Sequence, residues 1–334
     1  MNNKTEIANT REAFIDGLME IAAEDPKAVL VCADSVKALR ATAFADKYPA
    51  RLFDVGIAEQ CAVAFAAGLA ACGLHPFFGT YAGFITMRAC EQVRTFVAYP
   101  HLRVKFVGIN GGIYGGEREG VTHQFFEDLA ILRSIPGMEV VVPADAGQVR
   151  KATRAVALRD GPGYIRVGSG REPVIFEESF GFEFGRVRIL DNRGSDASLF
   201  CNGPIVRRVL QAAEALAAAG IRTTVVEVHT LKPLDTEGIL AILRGTQAAV
   251  TVEDHSVIGG LGSAVAEVIA ENAVAAPLVR IGLQDVFPSS GEAEALLDYY
   301  GMGVSHIIEA VRKAIRMKPA PEAGQAGSTQ RTCV

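Results

Sequence analysis

Short β-rich runs alternate with helical segments along most of this sequence. In the first half, a helical period at residues 11–24 precedes strand candidates at residues 28–32, 104–109 and 139–142, with further helical segments between them. Parallel strands need a connection that crosses back over the sheet, and helices provide it. The alternation therefore predicts an α/β domain with a mostly parallel sheet covered on both faces, where ligands bind at the carboxyl ends of strands.

The same alternation resumes after a stretch that contains proline, glycines and scattered charges. Strand candidates lie at residues 197–201, 223–228 and 248–252, and helix candidates at residues 205–219 and 261–271. This pattern predicts a second, smaller α/β domain. The predicted divisions are a first domain over residues 1–175, a connection over residues 176–194, a second domain over residues 195–317 and a disordered tail over residues 318–334.

Composition and charge exclude several classes of protein. Apolar residues make up 49% of the 334 residues and charged residues 21%, as in a globular protein. The net charge is −5 without a long run of one sign, so neither nucleic acid nor a membrane is an expected partner. The six cysteines form no C-x-x-C pair and the first residues form no export signal, which predicts a cytoplasmic protein. The longest apolar stretch, residues 61–74, is shorter than the roughly 20 residues that span a bilayer and predicts a buried helix.

Glu59 directly precedes this apolar helix, near the end of the segment RLFDVGIAEQ at residues 51–60. A carboxylate in the first turn of a helix can simply complement the helix dipole. Because the helix that follows carries no charge, however, the carboxylate is expected to be half buried. In that environment it needs a partner that can share its proton.

Two further segments have features of an active-site loop. The segment GTYAGFITMR, residues 79–88, places Tyr81 and Phe84 beside glycines on a loop that enters a helix. The segment GGEREGVTHQ, residues 115–124, surrounds His123 with glycines, charges and polar residues. Core packing explains the two aromatic residues equally well, and His123 could be a surface histidine without a role. These residues alone leave both alternatives open.

In this order and at these separations, the three segments resemble the pyrimidine-binding domain of transketolases and related thiamin diphosphate enzymes. The resemblance continues through residues 129–136 and 142–145, and into the second domain at residues 231–235 and 252–256. It covers roughly residues 10–316. The chain is therefore expected to be the C-terminal part of a transketolase, made as a separate subunit.

The resemblance implies roles for particular side chains. Glu59 would hydrogen-bond the aminopyrimidine ring nitrogen of thiamin diphosphate, and Phe84 would stack on that ring with Tyr81 nearby. His123 would face the reacting carbon and exchange a proton. Asp34, at a strand end, resembles an acid that lines the same pocket, with a capping role in the core as the alternative. The expected catalytic residues are Glu59 and His123, and the expected cofactor-binding residues are Asp34, Ile57, Glu59, Tyr81 and Phe84.

A partner chain is also implied. Family members bind the cofactor's diphosphate and its Mg²⁺ through a Gly-Asp-Gly motif and a later asparagine in an N-terminal domain. This sequence contains no Gly-Asp-Gly, and the residues before Arg11 leave no room for that domain. We therefore expect no metal ligand in this chain, an N-terminal partner subunit that carries the diphosphate and Mg²⁺ site, and a heterotetramer of two large and two small subunits.

Three positions depart from one-chain transketolases, and all three concern the sugar or sugar-phosphate substrate. Glu119 takes the place of an aspartate after a one-residue insertion, and its longer arm could reach a sugar hydroxyl. The segment Asn110-Gly111-Gly112 stands where those enzymes have a substrate-binding histidine. Ser169 replaces a phosphate-binding arginine, and Arg166 or Arg171 is a candidate for that role because a guanidinium binds oxyanions in a bidentate manner. The expected substrate-binding residues are Glu119, His123, Arg166 and Arg171.

The leading hypothesis is transfer of a two-carbon ketol unit from a ketose to an aldose. Two alternatives share thiamin chemistry, a 1-deoxyxylulose-5-phosphate synthase-like enzyme and the beta subunit of a 2-oxoacid dehydrogenase, which the segment RACEQV at residues 88–93 also resembles. A non-catalytic regulatory subunit is a third, although intact Glu59 and His123 argue against it. The glycine run at residues 259–262 lacks the spacing of a dinucleotide fingerprint and is expected to start a tightly packed helix.

Overall fold

The structure, a computed structural model, describes residues 6–116 and 119–318. The tail predicted at residues 318–334 lies outside the described residues except for Lys318. The strands are β1 (Ile7–Ala8), β2 (Ala28–Cys32), β3 (Leu52–Asp54), β4 (His75–Tyr81), β5 (Lys105–Ile109), β6 (Glu139–Val141), β7 (Gly163–Arg166), β8 (Glu172–Pro173), β9 (Arg188–Asn192), β10 (Ala197–Cys201), β11 (Thr223–Glu227), β12 (Thr230–Lys232), β13 (Ala249–Ser256) and β14 (Leu278–Leu283).

The helices are α1 (Thr10–Glu24), α2 (Thr42–Lys47), α3 (Glu59–Ala71), α4 (Cys90–Gln92), α5 (Gly112–Gly116), α6 (Asp128–Ser134), α7 (Ala146–Ala157), α8 (Val206–Ala218), α9 (Thr236–Thr246), α10 (Leu261–Glu271), α11 (Ala293–Tyr299) and α12 (Val304–Arg316). The described residues also form two π-helical turns, Phe84–Arg88 and Val93–Ala98, and two 3₁₀ turns, Pro49–Arg51 and Gly203–Ile205. In the described part of the chain, no helix is long and apolar enough to cross a membrane.

Seven of the described strands form the sheet of the first domain, in the order β12-β6-β7-β5-β4-β2-β3. Neighbours pair in parallel except β12, which runs antiparallel to β6. Side chains alternate between the two faces. Leu30 and Phe77 belong to an apolar core with α1, α2 and α7. Val31 and Phe78 belong to a second core with α3 and α6. The prediction of a parallel sheet covered on both faces is confirmed.

Five described strands form the sheet of the second domain, in the order β14-β13-β10-β11-β9. They pair in parallel except for the edge strand β9, which runs antiparallel to β11. On one face, Leu199 belongs to an apolar core with Val209 of α8 and with α12. On the other face, Phe200 belongs to a core with Leu243 of α9, and that core also contains α3 and α6 of the first domain. The two domains therefore share part of their apolar core.

Two segments are organised differently from the sequence prediction. The stretch expected to connect the domains, residues 176–194, contains β9, an edge strand of the second sheet. Just before this stretch, β8 pairs with β1 near the start of the chain. Thr230–Lys232, predicted within the second domain, adds the antiparallel edge strand to the sheet of the first domain. Each domain is thus completed by residues that the sequence pattern assigned elsewhere.

The glycine run at residues 259–262 starts α10, and the predicted tight packing is confirmed. A Cβ atom on Gly260 would lie 2.0 Å from Oε2 of Glu253. The Glu253 carboxylate accepts hydrogen bonds from the backbone N–H groups of Leu261 and Gly262. The close approach lets this buried carboxylate cap the helix.

Helix α3 is only partly buried, so the prediction of a buried helix at residues 61–74 is wrong for one of its faces. Cys61, Phe65, Gly68 and Cys72 are exposed at helical spacing. We call these four residues the α3 stripe. Phe65 is 37% exposed. Because the stripe carries no charge, an uncovered apolar face of this kind is typical of a surface that contacts another chain.

Candidate active site

The site lies at the carboxyl ends of central strands in the first sheet, as expected for a parallel sheet. Tyr81 is the last residue of β4, and Asn110 directly follows β5. Asp34 follows β2, and Glu59 is the first residue of α3. Crossovers of the sheet thereby bring together segments that are far apart in the sequence.

Four rings form one wall of the site. The His123 ring meets Tyr81 edge-on at a centroid distance of 4.6 Å and Phe84 at 5.4 Å. The Phe84 ring lies 5.4 Å from Tyr81 and 5.6 Å from Phe125. Gly83 makes this packing possible, because a Cβ atom there would lie 1.8 Å from the Phe125 ring. The structure thus places three of the predicted site residues in one cluster.

Glu59 is buried beside this cluster. Its side chain is 2% exposed, at a helix N-terminus that favours a carboxylate. Its Oε1 accepts a hydrogen bond from Nη1 of Arg88 at 2.8 Å. The guanidinium of Arg88 also lies over the Phe84 ring, 3.8 Å from its centroid. The carboxylate expected to be half buried is almost completely buried, and it has a cationic partner.

His123 is partly buried, and neighbouring groups orient it. Its Nδ1 lies 2.9 Å from the hydroxyl of Thr122. Its backbone N–H donates to the carbonyl of Gly120. The next residue, Gln124, donates from Nε2 to the backbone carbonyl of Ser289 in the second domain, at 3.1 Å. The second domain therefore supports the loop that carries His123.

Arg166 lies in the interface between the domains. It is 6% exposed and donates to Oδ1 of Asp128 at 3.0 Å and to the backbone carbonyls of Phe125 and Asp254. Burial opposes its charge, but the carboxylates of Asp128 and Asp254 outweigh burial and raise the pKa of the guanidinium. Because these acceptors occupy the guanidinium, the structure offers no support for the predicted contact between Arg166 and a substrate phosphate.

Asp254 extends the same interface toward the active-site loop. Its two carboxylate oxygens accept hydrogen bonds from the backbone N–H groups of Ile113 and Tyr114, at 2.8 and 2.9 Å, at the start of α5. The neighbouring His255 is fully buried, and burial lowers its pKa to about 4. Asp254 of the second domain therefore positions the start of α5 in the first domain.

The remaining predicted residues are exposed. Asp34 has a left-handed φ of 52°, and its backbone N–H donates to Oδ1 of Asp54 at 2.8 Å. The exposure of Asp34 does not fit the alternative of a capping role in the core. Ile57 is 74% exposed. Glu119 and Arg171 are also exposed.

Arg11 is a residue of the site that the sequence did not reveal. It donates to the backbone carbonyls of Ala38 and Gly168, at 3.1 and 3.2 Å, and to the side-chain oxygen of Asn110. Asn110 is fully buried and has a left-handed φ of 58°. Burial lowers the pKa of Arg11, and Glu119 is among the groups that partly offset this effect. Arg11 therefore ties together three segments that follow strands.

Sequence reasoning also missed Arg88 and Phe125. Arg88 follows Phe84 by four residues, which places both on one face of a helix, and this spacing could have revealed it. No comparable signal exists for Arg11 or Phe125, because their contacts join segments distant in the chain.

The first domain is a parallel α/β domain with a buried glutamate and an aromatic wall at the carboxyl ends of its strands, and a smaller α/β domain follows it. Two-domain proteins of this class include the pyrimidine-binding part of thiamin diphosphate enzymes. The family model "Transketolase, pyrimidine binding domain" matches residues 6–170, and "Transketolase, C-terminal domain" matches residues 185–307. The chain belongs to the transketolase family. Within it, the chain is similar to a putative transketolase C-terminal section and to transketolase subunits.

Relatives that are themselves subunits match nearly the whole chain. The 6-deoxy-6-sulfo-D-fructose transketolase subunit SqwH of Clostridium sp. strain MSTE9 is 40% identical, over 92% of this chain and 95% of its own length. An apulose-4-phosphate transketolase subunit of Phocaeicola vulgatus is 36% identical, over 87% of this chain and 93% of its own length. A solved split-gene transketolase, an inactive beta4 tetramer, has a TM-score of 0.84 at 40% identity and covers 93% of this chain and 99% of its own.

Proposed function

We propose that this chain is the C-terminal subunit of a split transketolase that transfers a two-carbon ketol unit from a ketose to an aldose, either of them free or phosphorylated. One observation carries the proposal. The side chain of Glu59 is 2% exposed, and its partner Arg88 also lies over the aromatic ring of Phe84. A buried acid beside an aromatic face is suited to a planar, hydrogen-bonding heterocycle, because stacking and proton sharing can then act on one ring.

The residues present fit the aminopyrimidine half of thiamin diphosphate. Phe84 and Tyr81 would hold the ring by apolar contact, and Glu59 would hydrogen-bond its nitrogen. Ile57 and Asp34 are exposed and would be covered by the rest of the cofactor or by the partner chain. When bound, the cofactor supplies the nucleophilic carbon and the electron sink for breaking a carbon–carbon bond.

The chain's own side chains would then move protons and exclude water. Glu59 would hold a proton shared with the ring nitrogen of the cofactor. His123 would exchange a proton with a substrate oxygen through Nε2, because the hydroxyl of Thr122 engages Nδ1. The four-ring wall would close one side of the site to water, and the hydrogen bond from Gln124 to the backbone carbonyl of Ser289 holds the His123 loop against the second domain.

A partner subunit would complete the site. Within the two described ranges, no three His, Cys, Asp or Glu side chains are grouped so that they could hold a metal ion. We assign the diphosphate and Mg²⁺ to an N-terminal partner that covers the α3 stripe, in a heterotetramer. The solved relative is an inactive tetramer of beta chains, which is the behaviour we expect of such a chain without its partner.

The substrate side of the site is a finer proposal. We keep Glu119, His123 and Arg171 as substrate-binding residues, and we assign Arg166 to the domain interface. Glu119 lies within electrostatic range of the half-buried guanidinium of Arg11, which supports its place near the site. The substrates would be sugars or sugar phosphates. The free cysteines of the described chain are compatible with a cytoplasmic location.

The test is ketol transfer by the assembled complex, isolated through a tag on this chain. Glu59→Gln is expected to lower kcat by about 10²- to 10⁴-fold, the usual contribution of a positioned acid or base. Glu91→Gln is the matched control, because Glu91 is an exposed glutamate nearby, and it is expected to leave kcat unchanged. Consumption of pyruvate would favour the synthase or dehydrogenase alternatives. Full activity of Glu59→Gln would favour a non-catalytic subunit.

A further inference from the structure

Arg88 makes two contacts that together are unusual for a surface arginine. Its Nη1 donates to Oε1 of Glu59 at 2.8 Å, and the Cζ atom of its guanidinium lies over the Phe84 ring, 3.8 Å from the ring centroid. Phe84 and Arg88 are the first and last residues of a π-helical turn, which stacks one side chain over the other. The side chain of Arg88 is nevertheless 46% exposed. It reaches into the site from its open side.

The guanidinium of Arg88 resembles the aminopyrimidine ring that the proposed function places against Phe84 and Glu59. It is planar and delocalised, it lies over an aromatic face, and it donates an N–H to the buried carboxylate. These are the contacts that the aminopyrimidine of the cofactor would make with Phe84 and Glu59 in the proposed function. Both groups cannot occupy one face of Phe84 and one oxygen of Glu59 at the same time.

The pairing also stabilises the chain without a ligand. A carboxylate that is 2% exposed is costly to bury unless it is paired and hydrogen-bonded. Arg88 supplies that partner. Because about half of its own side chain remains in solvent, Arg88 can swing outward without leaving a buried charge of its own.

We propose that Arg88 occupies the pyrimidine slot while the slot is free and leaves it when the cofactor binds. This inference rests on the proposed function and adds to it a positioning residue that acts through Glu59. In this role Arg88 keeps Glu59 oriented and compensated before loading. It also lowers the apparent affinity for the cofactor, because only the fraction of molecules with Arg88 displaced is competent to bind.

The first experiment measures the binding of thiamin diphosphate, in the presence of Mg²⁺, to the assembled complex by calorimetry. Arg88→Met is expected to tighten binding about tenfold, since it removes a partly exposed ion pair and a cation–π contact that binding must otherwise break. Arg88→Lys keeps the charge but not the planar stacking, so its affinity is expected to lie between those of Arg88→Met and the wild type. Arg94→Met is the matched control, because Arg94 is an exposed arginine that lines a different cavity, beside Tyr99 and His101.

The second experiment needs neither cofactor nor partner. Thermal unfolding of the full chain alone should show a lower midpoint for Arg88→Met than for the wild type, because Glu59 is left unpaired. The double variant Arg88→Met/Glu59→Gln should recover much of the loss. A midpoint that Arg88→Met does not change would overturn the inference, because the pair would then not exist in the free chain.

The outcomes separate this inference from the proposed function. If the wild-type complex binds no thiamin diphosphate, the proposed function fails and the inference fails with it. If the wild-type complex binds it and Arg88→Met binds with equal or weaker affinity, the inference alone fails. Tighter binding by Arg88→Met, with Arg94→Met unchanged, supports it.

Discussion

Replacing Arg166 by methionine distinguishes two roles for this arginine, substrate binding and support of the domain interface. The guanidinium is 6% exposed and donates to Asp128, which is 0% exposed, and to two backbone carbonyls. The change keeps an apolar chain of similar length but leaves the Asp128 carboxylate buried without its ion partner. Breaking a buried pair by removing one member costs roughly 3–5 kcal/mol. We expect a loss of that size in the free energy of unfolding.

The assay is equilibrium unfolding of the full chain in guanidinium chloride. Because domains are commonly stable by only about 5–15 kcal/mol, a loss of this size brings the variant close to unfolding. The double variant Arg166→Met/Asp128→Asn keeps the measurement informative, since removing the orphaned charge should restore about 1–3 kcal/mol. The exposed control Arg94→Met should change stability by less than about 0.5 kcal/mol.

An effect on substrate binding without a loss of stability would contradict this role. If Arg166→Met unfolded like the wild type and raised the KM for a phosphorylated substrate in the assembled complex, Arg166 would contact substrate rather than support the interface. The structure predicts the reverse, a large loss of stability. The effect of Arg166→Met on KM should be no greater for phosphorylated than for free sugars.

Three further predictions concern the wall of the site, the dependence of stability on pH, and the surface of α3. Gly83→Ala places a Cβ atom 1.8 Å from the Phe125 ring, so we expect about 1–3 kcal/mol less stability and weaker thiamin diphosphate binding, measured by unfolding and calorimetry. Burial raises the pKa of Glu227 to about 8, so the folded chain keeps a proton that the unfolded chain releases above about pH 4.3. Protonated Glu227 therefore stabilises the folded chain below about pH 4.3, and this contribution is lost as the pH rises to about 8. Glu227→Gln should make the free energy of unfolding, measured in denaturant at a series of pH values, fall less over this range. Phe65→Asp should abolish co-purification of a partner subunit with the tagged chain, whereas Leu158→Asp, at a position 82% exposed elsewhere, should not.

Much of the fold follows from the sequence because its periodicities are local. The strand at Ala28–Cys32 and the helix at Leu261–Glu271 begin and end where the pattern predicts. The edge strands Arg188–Asn192 and Thr230–Lys232 were not predicted, because they are short and their pairing partners lie in distant segments. Local patterns record which residues are apolar, but they do not record which strand an edge segment joins.

In the candidate site too, local features could be predicted from the sequence and contacts between distant segments could not. Glu59 could be singled out because a carboxylate before a charge-free helix is unusual. Its pairing with Arg88, 29 residues away, depends on how the chain crosses the sheet, which the sequence does not state. The burial of Arg166 depends on Asp254, 88 residues away in the second domain. An apolar helix such as α3 has the same sequence pattern whether its own chain or a partner covers it.

In the proposed function this chain forms one half of a thiamin diphosphate site, and a partner chain supplies the other half. Native mass spectrometry of the complex, purified from its own host through a tag on this chain, tests both halves at once. We expect a second subunit that carries a Gly-Asp-Gly motif, together with thiamin diphosphate and Mg²⁺. A chain that purifies alone and binds no thiamin diphosphate, even with the cofactor and Mg²⁺ in excess, would show that the proposed function is wrong.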